Sequence, residues 1–138
     1  MAPQDIGEGI SQIIPVITAI LVSSAEEDPR LITIEQPELH LHPRQQAKLG
    51  DLLIEGGIKE KNLLLIETHS EHLILRILRR IREATDGELP DSLPAVTPDD
   101  IAIYYVEVSP DGSQIKQIRC DEDGELIDSW PDGFFEER

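Results

Sequence analysis

Leu31-Ile32-Thr33-Ile34-Glu35-Gln36-Pro37-Glu38-Leu39-His40-Leu41-His42-Pro43 is the stretch on which the fold turns. Its first five residues form a short apolar run that closes on a carboxylate, the pattern of a strand buried in a parallel sheet. Residues 36–43 read as a loop with a proline near each end, and Pro43 suits the first turn of a helix. Asn62-Leu63-Leu64-Leu65-Ile66-Glu67 repeats the pattern. This second apolar strand also ends in a carboxylate and is followed by the polar turn Thr68-His69-Ser70, with Ser70 placed to cap the next helix.

Working outward, the spacing predicts a helix over 44–55 that stops at Gly56-Gly57. A second helix is expected over 71–82, with Leu73, Ile74, Ile77, Leu78 and Ile81 as its apolar stripe. An earlier one over 10–23 is marked by Ile10, Ile13, Ile14, Ile17, Ile20 and Leu21, with Pro15 in its first turns, where proline is tolerated. Gly7 and Gly9 immediately precede it. Residues 85–99 hold Pro90, Pro94 and Pro98 and read as a linker. Alternating segments 101–108 and 113–120 flank Ser109-Pro110-Asp111-Gly112, a β-hairpin signal, and 121–138 is an acidic tail. Three regions are therefore expected: 1–84, a linker at 85–99, and 100–138. Helix–strand–helix–strand–helix followed by a hairpin is an α/β order with parallel strands and helices on the sheet. Glu35, Gln36 and His69 all fall just past strand C-termini, the edge where open α/β sheets bind ligands. Two parallel strands make a thin sheet, which suggests that part of the domain lies elsewhere.

Composition narrows the function. Lys and Arg number 12 against 28 Asp and Glu in 138 residues, a formal charge of −16. A module that coats nucleic acid needs a basic face, so that class is disfavoured. The local run Arg76, Arg79, Arg80, Arg82 reads as the solvated face of a helix rather than as a nucleic-acid site. Cys120 is the single cysteine; with no internal disulfide possible, an intracellular, cytoplasmic chain is expected. No apolar run approaches a membrane span, and 1–9 lacks the pattern of a signal peptide.

The segment Leu31 to Pro43 resembles the Walker B strand and D-loop of ABC-type ATPases. Within them it is similar to the predicted ATPases of the OLD and RecF/SMC-like branch, which carry a Glu-Leu-His-Leu-His-Pro run like that from Glu38 to Pro43. The chemistry calls for a hydrophobic strand that delivers a rigid carboxylate to hydrated Mg²⁺. By this resemblance Glu35 holds the position of the Mg²⁺-side acid, usually Asp. Gln36 holds that of the catalytic Glu that polarises the attacking water, with Glu38 the competing candidate. Leu64-Leu65-Ile66-Glu67-Thr68-His69-Ser70 resembles the switch-histidine strand, which makes His69 the γ-phosphate contact. Gly7-Glu8-Gly9-Ile10-Ser11-Gln12 resembles the branch's divergent signature loop Gly-x-Gly-x-Ser-Gln, whose backbone N–H groups and helix dipole face a phosphate. Gly7 and Gly9 would permit close approach, Ser11 would supply a hydroxyl, and Gln12 completes the motif; Glu8 departs from the need, since its carboxylate must point away. The stretch Trp130-Pro131-Asp132-Gly133-Phe134-Phe135 resembles an extension often appended to this branch, its aromatics reading as packing against a sheet.

Nowhere do the 138 residues contain Gly-x-x-x-x-Gly-Lys-[Ser/Thr], the loop that cradles phosphates. The resemblance thus implies the C-terminal lobe of a P-loop, ABC-type ATPase: a truncation, an excision or one product of a split gene. It implies ATP and Mg²⁺ as ligands of the intact protein and a Walker A-bearing lobe or chain as partner. An effector protein is also implied, with a role in DNA maintenance or defence by family analogy alone. Without the N-terminal lobe, one sheet edge and apolar surface on 31–34 and 63–66 should lie bare, so homodimerisation or higher self-association is expected. Two other classes stay open. One is a non-enzymatic partner-binding domain. The other is a metallohydrolase built on His40, His42, His69 and His72 with nearby glutamates.

Overall fold

A computed structural model of the chain describes residues 8–23, 29–110 and 112–131. The elements run α1 (Glu8–Ser23), β1 (Leu31–Glu35), α2 (Pro43–Ile58), β2 (Leu63–Glu67), α3 (Glu71–Thr85), a single 3₁₀ turn (Pro98–Asp100), β3 (Ile103–Ser109) and β4 (Gly112–Ile118). The chain is α/β, with one parallel and one antiparallel two-stranded sheet. It divides into two compact units, Met1–Ile77 and Leu78–Arg138, the boundary falling inside α3.

In the first unit β1 and β2 pair in parallel, from Leu31 opposite Leu63 to Glu35 opposite Glu67. Strand side chains alternate between faces, so Ile32, Ile34, Leu64 and Ile66 share one side. That side meets the core built from Val16 and Ile20 of α1, Leu41 of the β1–α2 loop, Leu49 and Leu53 of α2, and Leu73 of α3. The strands are not buried on both faces as their apolar runs predict. On the other face Leu31, Leu63 and Leu65 are 62%, 68% and 63% exposed. A run of leucines and isoleucines is the signature of a two-sided sheet, and here, among the described residues, helices cover one side only.

Helix boundaries also differ from expectation, and α3 runs to Thr85 rather than 82. Helix α2 runs through Gly56 and Gly57 to Ile58. Gly56 is retained for packing rather than for ending the helix: a Cβ there would lie 2.9 Å from Ile20 Cγ2. Helix α1 begins at Glu8, so Pro15 sits inside it and not in its opening turn. Proline has no N–H, so the carbonyl of Ser11 loses its helical donor; Ser11 is exposed, where water can replace it.

The remaining caps follow the residues. His42 opens α2: its Nδ1 accepts the Arg44 N–H (3.3 Å), while Gln45 Oε1 accepts the His42 N–H (3.2 Å). Ser70 opens α3, its Oγ accepting the Leu73 N–H at 3.0 Å. Buried Asn62 accepts the Arg30 N–H (3.1 Å) and donates to the Gly56 carbonyl (3.3 Å), tying the starts of both strands to the end of α2.

In the second unit Leu78, Ile81, Val96 and Ile118 are buried. The hairpin pairs Ile103 with Ile118 through to Ser109 with Gly112. Trp130 meets Tyr105 of β3 edge-on, ring centroids 6.1 Å apart, which bears out the aromatic packing expected of the tail. Residues 132–138, with Phe134 and Phe135, lie outside the described residues.

Candidate functional site

The site forms where the parallel sheet ends. Glu35 and Glu67 are register partners at the C-terminal ends of neighbouring strands, so two exposed carboxylates stand side by side. Gln36 carries the pairing one step further, its N–H donating to the Glu67 carbonyl at 2.8 Å. There the chain turns sharply: Gln36 has φ 44° and His40 φ 61°. Left-handed backbone costs a residue with a Cβ about 1–2 kcal/mol, and such conformations gather at functional loops. The turn is closed by the Leu39 N–H on the Gln36 carbonyl (3.1 Å) and the Leu41 N–H on the Glu38 carbonyl (3.0 Å). Pro37 is buried beneath it. The result is an open cleft of about 420 Å³ lined by Glu35, Gln36, Leu39 and Glu67.

His69 stands beside the cleft. Its Nε2 lies 4.0 Å from Glu67 Oε1, and both side chains are largely exposed. Its backbone is held from below, because the His69 N–H donates to Glu38 Oε1 at 2.7 Å. Glu38 itself is only 8% exposed. A second brace lies alongside: Ser70 Oγ–H donates to Gln46 Oε1 (2.6 Å), and Gln46 Nε2–H donates to the Leu41 carbonyl (2.9 Å). The β1–α2 loop and the β2–α3 turn are thus joined by side chains as well as by the ladder.

Of the residues singled out in the sequence, Glu35 and Gln36 line the cleft and His69 adjoins its wall. Glu38 is not in the lining; its carboxylate is turned onto the His69 backbone. Gly9, Ser11 and Gln12 fall in the opening turn of α1, not in a loop before it. N–H groups in such a turn have no intrahelical acceptor. Gly7 lies outside the described residues. Glu67 was missed. The signal was available, since two parallel strands that each end in Glu bring those residues together whenever they pair in register.

The histidines and arginines of the competing readings are otherwise engaged or dispersed. His42 caps α2, and no group of three or more His, Cys, Asp or Glu placed to hold a metal occurs among the described residues. Arg76 pairs with Asp51 (2.9 Å), Arg79 with Glu83 (2.7 Å) and Arg82 with Glu125 (3.7 Å). Arg80 is buried and donates to the Pro94 carbonyl at 2.9 Å. The run is therefore not a free basic stripe. No helix among the described residues is long and apolar enough to cross a membrane.

Chemically, the cleft offers exposed carboxylate oxygens, a neutral amide and an imidazole. Hard oxygen donors of this kind, few in number and open to water, suit Mg²⁺ that keeps most of its hydration and shares it with phosphates. No curated protein and no solved structure matches the chain. A family model described as a protein of unknown function (DUF3696) matches residues 96–138, over the hairpin and the tail. A family model described as an AAA ATPase domain matches residues 4–74, just over half of the chain, taking in α1, both parallel strands, the Gln36 loop and His69. With its sheet, its polar strand ends and that match in agreement, the chain belongs to the AAA ATPase domain family.

Proposed function

We propose that the chain is the C-terminal lobe of an ABC-type ATPase that works as a nucleotide-dependent switch. The observation that carries this reading is the convergence of Glu35, Gln36 and Glu67 on one cleft, with His69 at its wall, at the C-terminal edge of a parallel sheet. Glu35 is the acid on the Mg²⁺ side, with Glu67 as an outer partner. Mg²⁺, when bound, supplies charge neutralisation at the phosphate oxygens. Gln36 orients the attacking water through its side-chain carbonyl but accepts a proton poorly, which makes a slow switch. His69 donates to the terminal phosphate. Ser11 is not among the residues lining the cleft, which fits a signature segment (Gly7, Gly9, Ser11, Gln12) that serves nucleotide held by a second copy.

The phosphate cradle comes from a Walker A-bearing lobe or chain. Leu31, Leu63 and Leu65 offer that lobe, or a second copy of this one, an apolar sheet face to cover. Coupling to an effector in DNA maintenance or defence rests on likeness of family alone. The test is equilibrium binding of Mg²⁺·ATP to a version of the protein that carries the phosphate loop. Glu35→Ala should lower the Mg²⁺-dependent affinity, and His69→Ala should weaken ATP without changing ADP. Equal affinity in all three proteins rejects the proposal.

A further inference from the structure

We infer that Glu38 is a positioning residue: its carboxylate stands in for a missing strand carbonyl and sets the place of His69 relative to Gln36. Glu35 is opposite Glu67, so Gln36 falls opposite Thr68. In a regular parallel ladder a residue at that register donates to the residue before its partner and accepts from the residue after it. Gln36 makes the first bond, N–H to the Glu67 carbonyl at 2.8 Å. It cannot make the second. Its left-handed backbone, φ 44°, turns its carbonyl to the Leu39 N–H at 3.1 Å. The His69 N–H would be left without its ladder acceptor, and Glu38 Oε1 takes it at 2.7 Å.

The position of this carboxylate supports a dedicated role. Glu38 is 8% exposed, and its Oε2 is sealed off with no hydrogen-bond partner among the described residues. Burying a carboxylate with half its capacity unused is unfavourable, and a loop residue needed only for solubility would not be kept there. The adjacent Ser70–Gln46–Leu41 chain braces the same turn but touches the side chain of Ser70, not the backbone of His69. Among the described residues it is Glu38 that holds the His69 N–H. The same bond turns its carboxylate away from a role as base toward water in the cleft. What the latch does for nucleotide rests on the function proposed above; the latch itself does not.

Amide exchange and ¹⁵N–¹H spectra of the full 138-residue chain without nucleotide test it. In the native chain the His69 amide should exchange slowly although its side chain is open to solvent, and its proton should lie downfield of the neighbouring turn amides. Glu38→Ala should speed exchange at His69 by roughly tenfold to a hundredfold, the loss of a charge-assisted hydrogen bond. The β1–β2 amides should keep their protection. Glu38→Gln retains an acceptor oxygen and should restore most of the protection. Free exchange of the His69 amide in the native chain overturns the inference without any variant, so a Glu38→Ala chain that fails to fold does not protect it. Equal exchange in a folded Glu38→Ala chain overturns it as well. Because no nucleotide is present, failure here leaves the ATP reading standing, and the reverse holds too.

Discussion

The parallel pair β1–β2 and the hairpin β3–β4 have two strands each, and each leaves apolar side chains open on one face. These are Leu31, Leu63 and Leu65 in the first, and Tyr104, Val106, Val108 and Ile115 in the second. They part company at the strand ends. The hairpin closes locally, with Ser109 Oγ–H on the Gly112 carbonyl (2.8 Å) and the exposed pair Lys116–Glu107 (2.7 Å) across its strands. Just past β4, Arg119 grips Asp128 through Nε (2.9 Å) and Nη2 (2.8 Å). Such pairs cost little to form and contribute little, so nothing there asks for a functional explanation. The parallel pair instead ends in a loop with left-handed Gln36 and His40 and a buried carboxylate on the backbone of His69. These features are unfavourable one by one and persist only where the surroundings enforce them. The contrast separates an end held by left-handed backbone and a buried carboxylate from one held by exposed surface pairs.

The largest effect expected from this difference is kinetic. In a version carrying the phosphate loop, Gln36→Glu should speed ATP hydrolysis by about 10²–10⁴, the usual worth of a positioned general base. Steady-state phosphate release checks it. Unchanged turnover in Gln36→Glu, with loss of turnover in Glu38→Gln, would move the water-facing role to Glu38 and remove the latch as its main task.

The next effect belongs to the hairpin unit and is purely structural. Gly124 has φ +69°, and a Cβ on it would run into the carbonyl of Leu78. Gly124→Ala should destabilise this unit by about 3 kcal/mol, from left-handed strain together with the clash. Trp130, the single tryptophan, packs on Tyr105 and reports on this unit, so its fluorescence during denaturant unfolding reads the change. A midpoint equal to that of the native chain would mean the turn is not held as described.

How far the residues alone announced these two ends follows from the kind of force at work in each. Periodicity located both parallel strands, the hairpin and the Ser70 cap, because burial and capping are local and repeat along the chain. The loci of Glu35, Gln36 and His69 were legible since strand ends mark the ligand edge of an α/β sheet. Gly56-Gly57 misled: glycine usually ends a helix, whereas the closeness of Ile20 to Gly56 shows that this glycine serves packing within one. The burial of Glu38 was hidden because a charged residue in a proline-bounded loop reads as exposed, and its partner lies on another strand. Glu67 required setting the two Glu-ended strands in register, a comparison open to the sequence but not to a window along either strand by itself. The open outer face of β1–β2 was legible from the missing lobe, since leucine runs whose covering elements lie elsewhere are left bare on one side.

The smallest effect is electrostatic and belongs again to the hairpin unit. The hydrogen bonds from the Arg119 side chain and backbone N–H hold the Asp128 carboxyl down from 3.8 to about 2. A depressed carboxylate adds stability that is complete above its unfolded value and is lost as pH falls through its folded one. The contribution should therefore fade between pH 3.8 and about 2. Asp128→Asn should lower stability slightly at neutral pH and flatten the acid limb of Trp130-monitored unfolding over that window, so that the two proteins converge near the acid end, with salt shrinking the difference. An acid limb identical in both proteins would show that the pair does not form.

The most direct measurement is ATP turnover by three samples: the 138-residue chain alone, the chain joined to a Walker A-bearing lobe, and the joined protein with Glu35→Ala. Positioning supplies most of the catalysis in phosphoryl transfer, and the chain has no phosphate loop of its own. The expected result is no turnover by the chain alone, slow turnover by the joined protein, and its loss in Glu35→Ala. Turnover by the isolated chain, or a joined protein indifferent to Glu35→Ala, would contradict the assignment of the β1–β2 end as one half of an ATPase site.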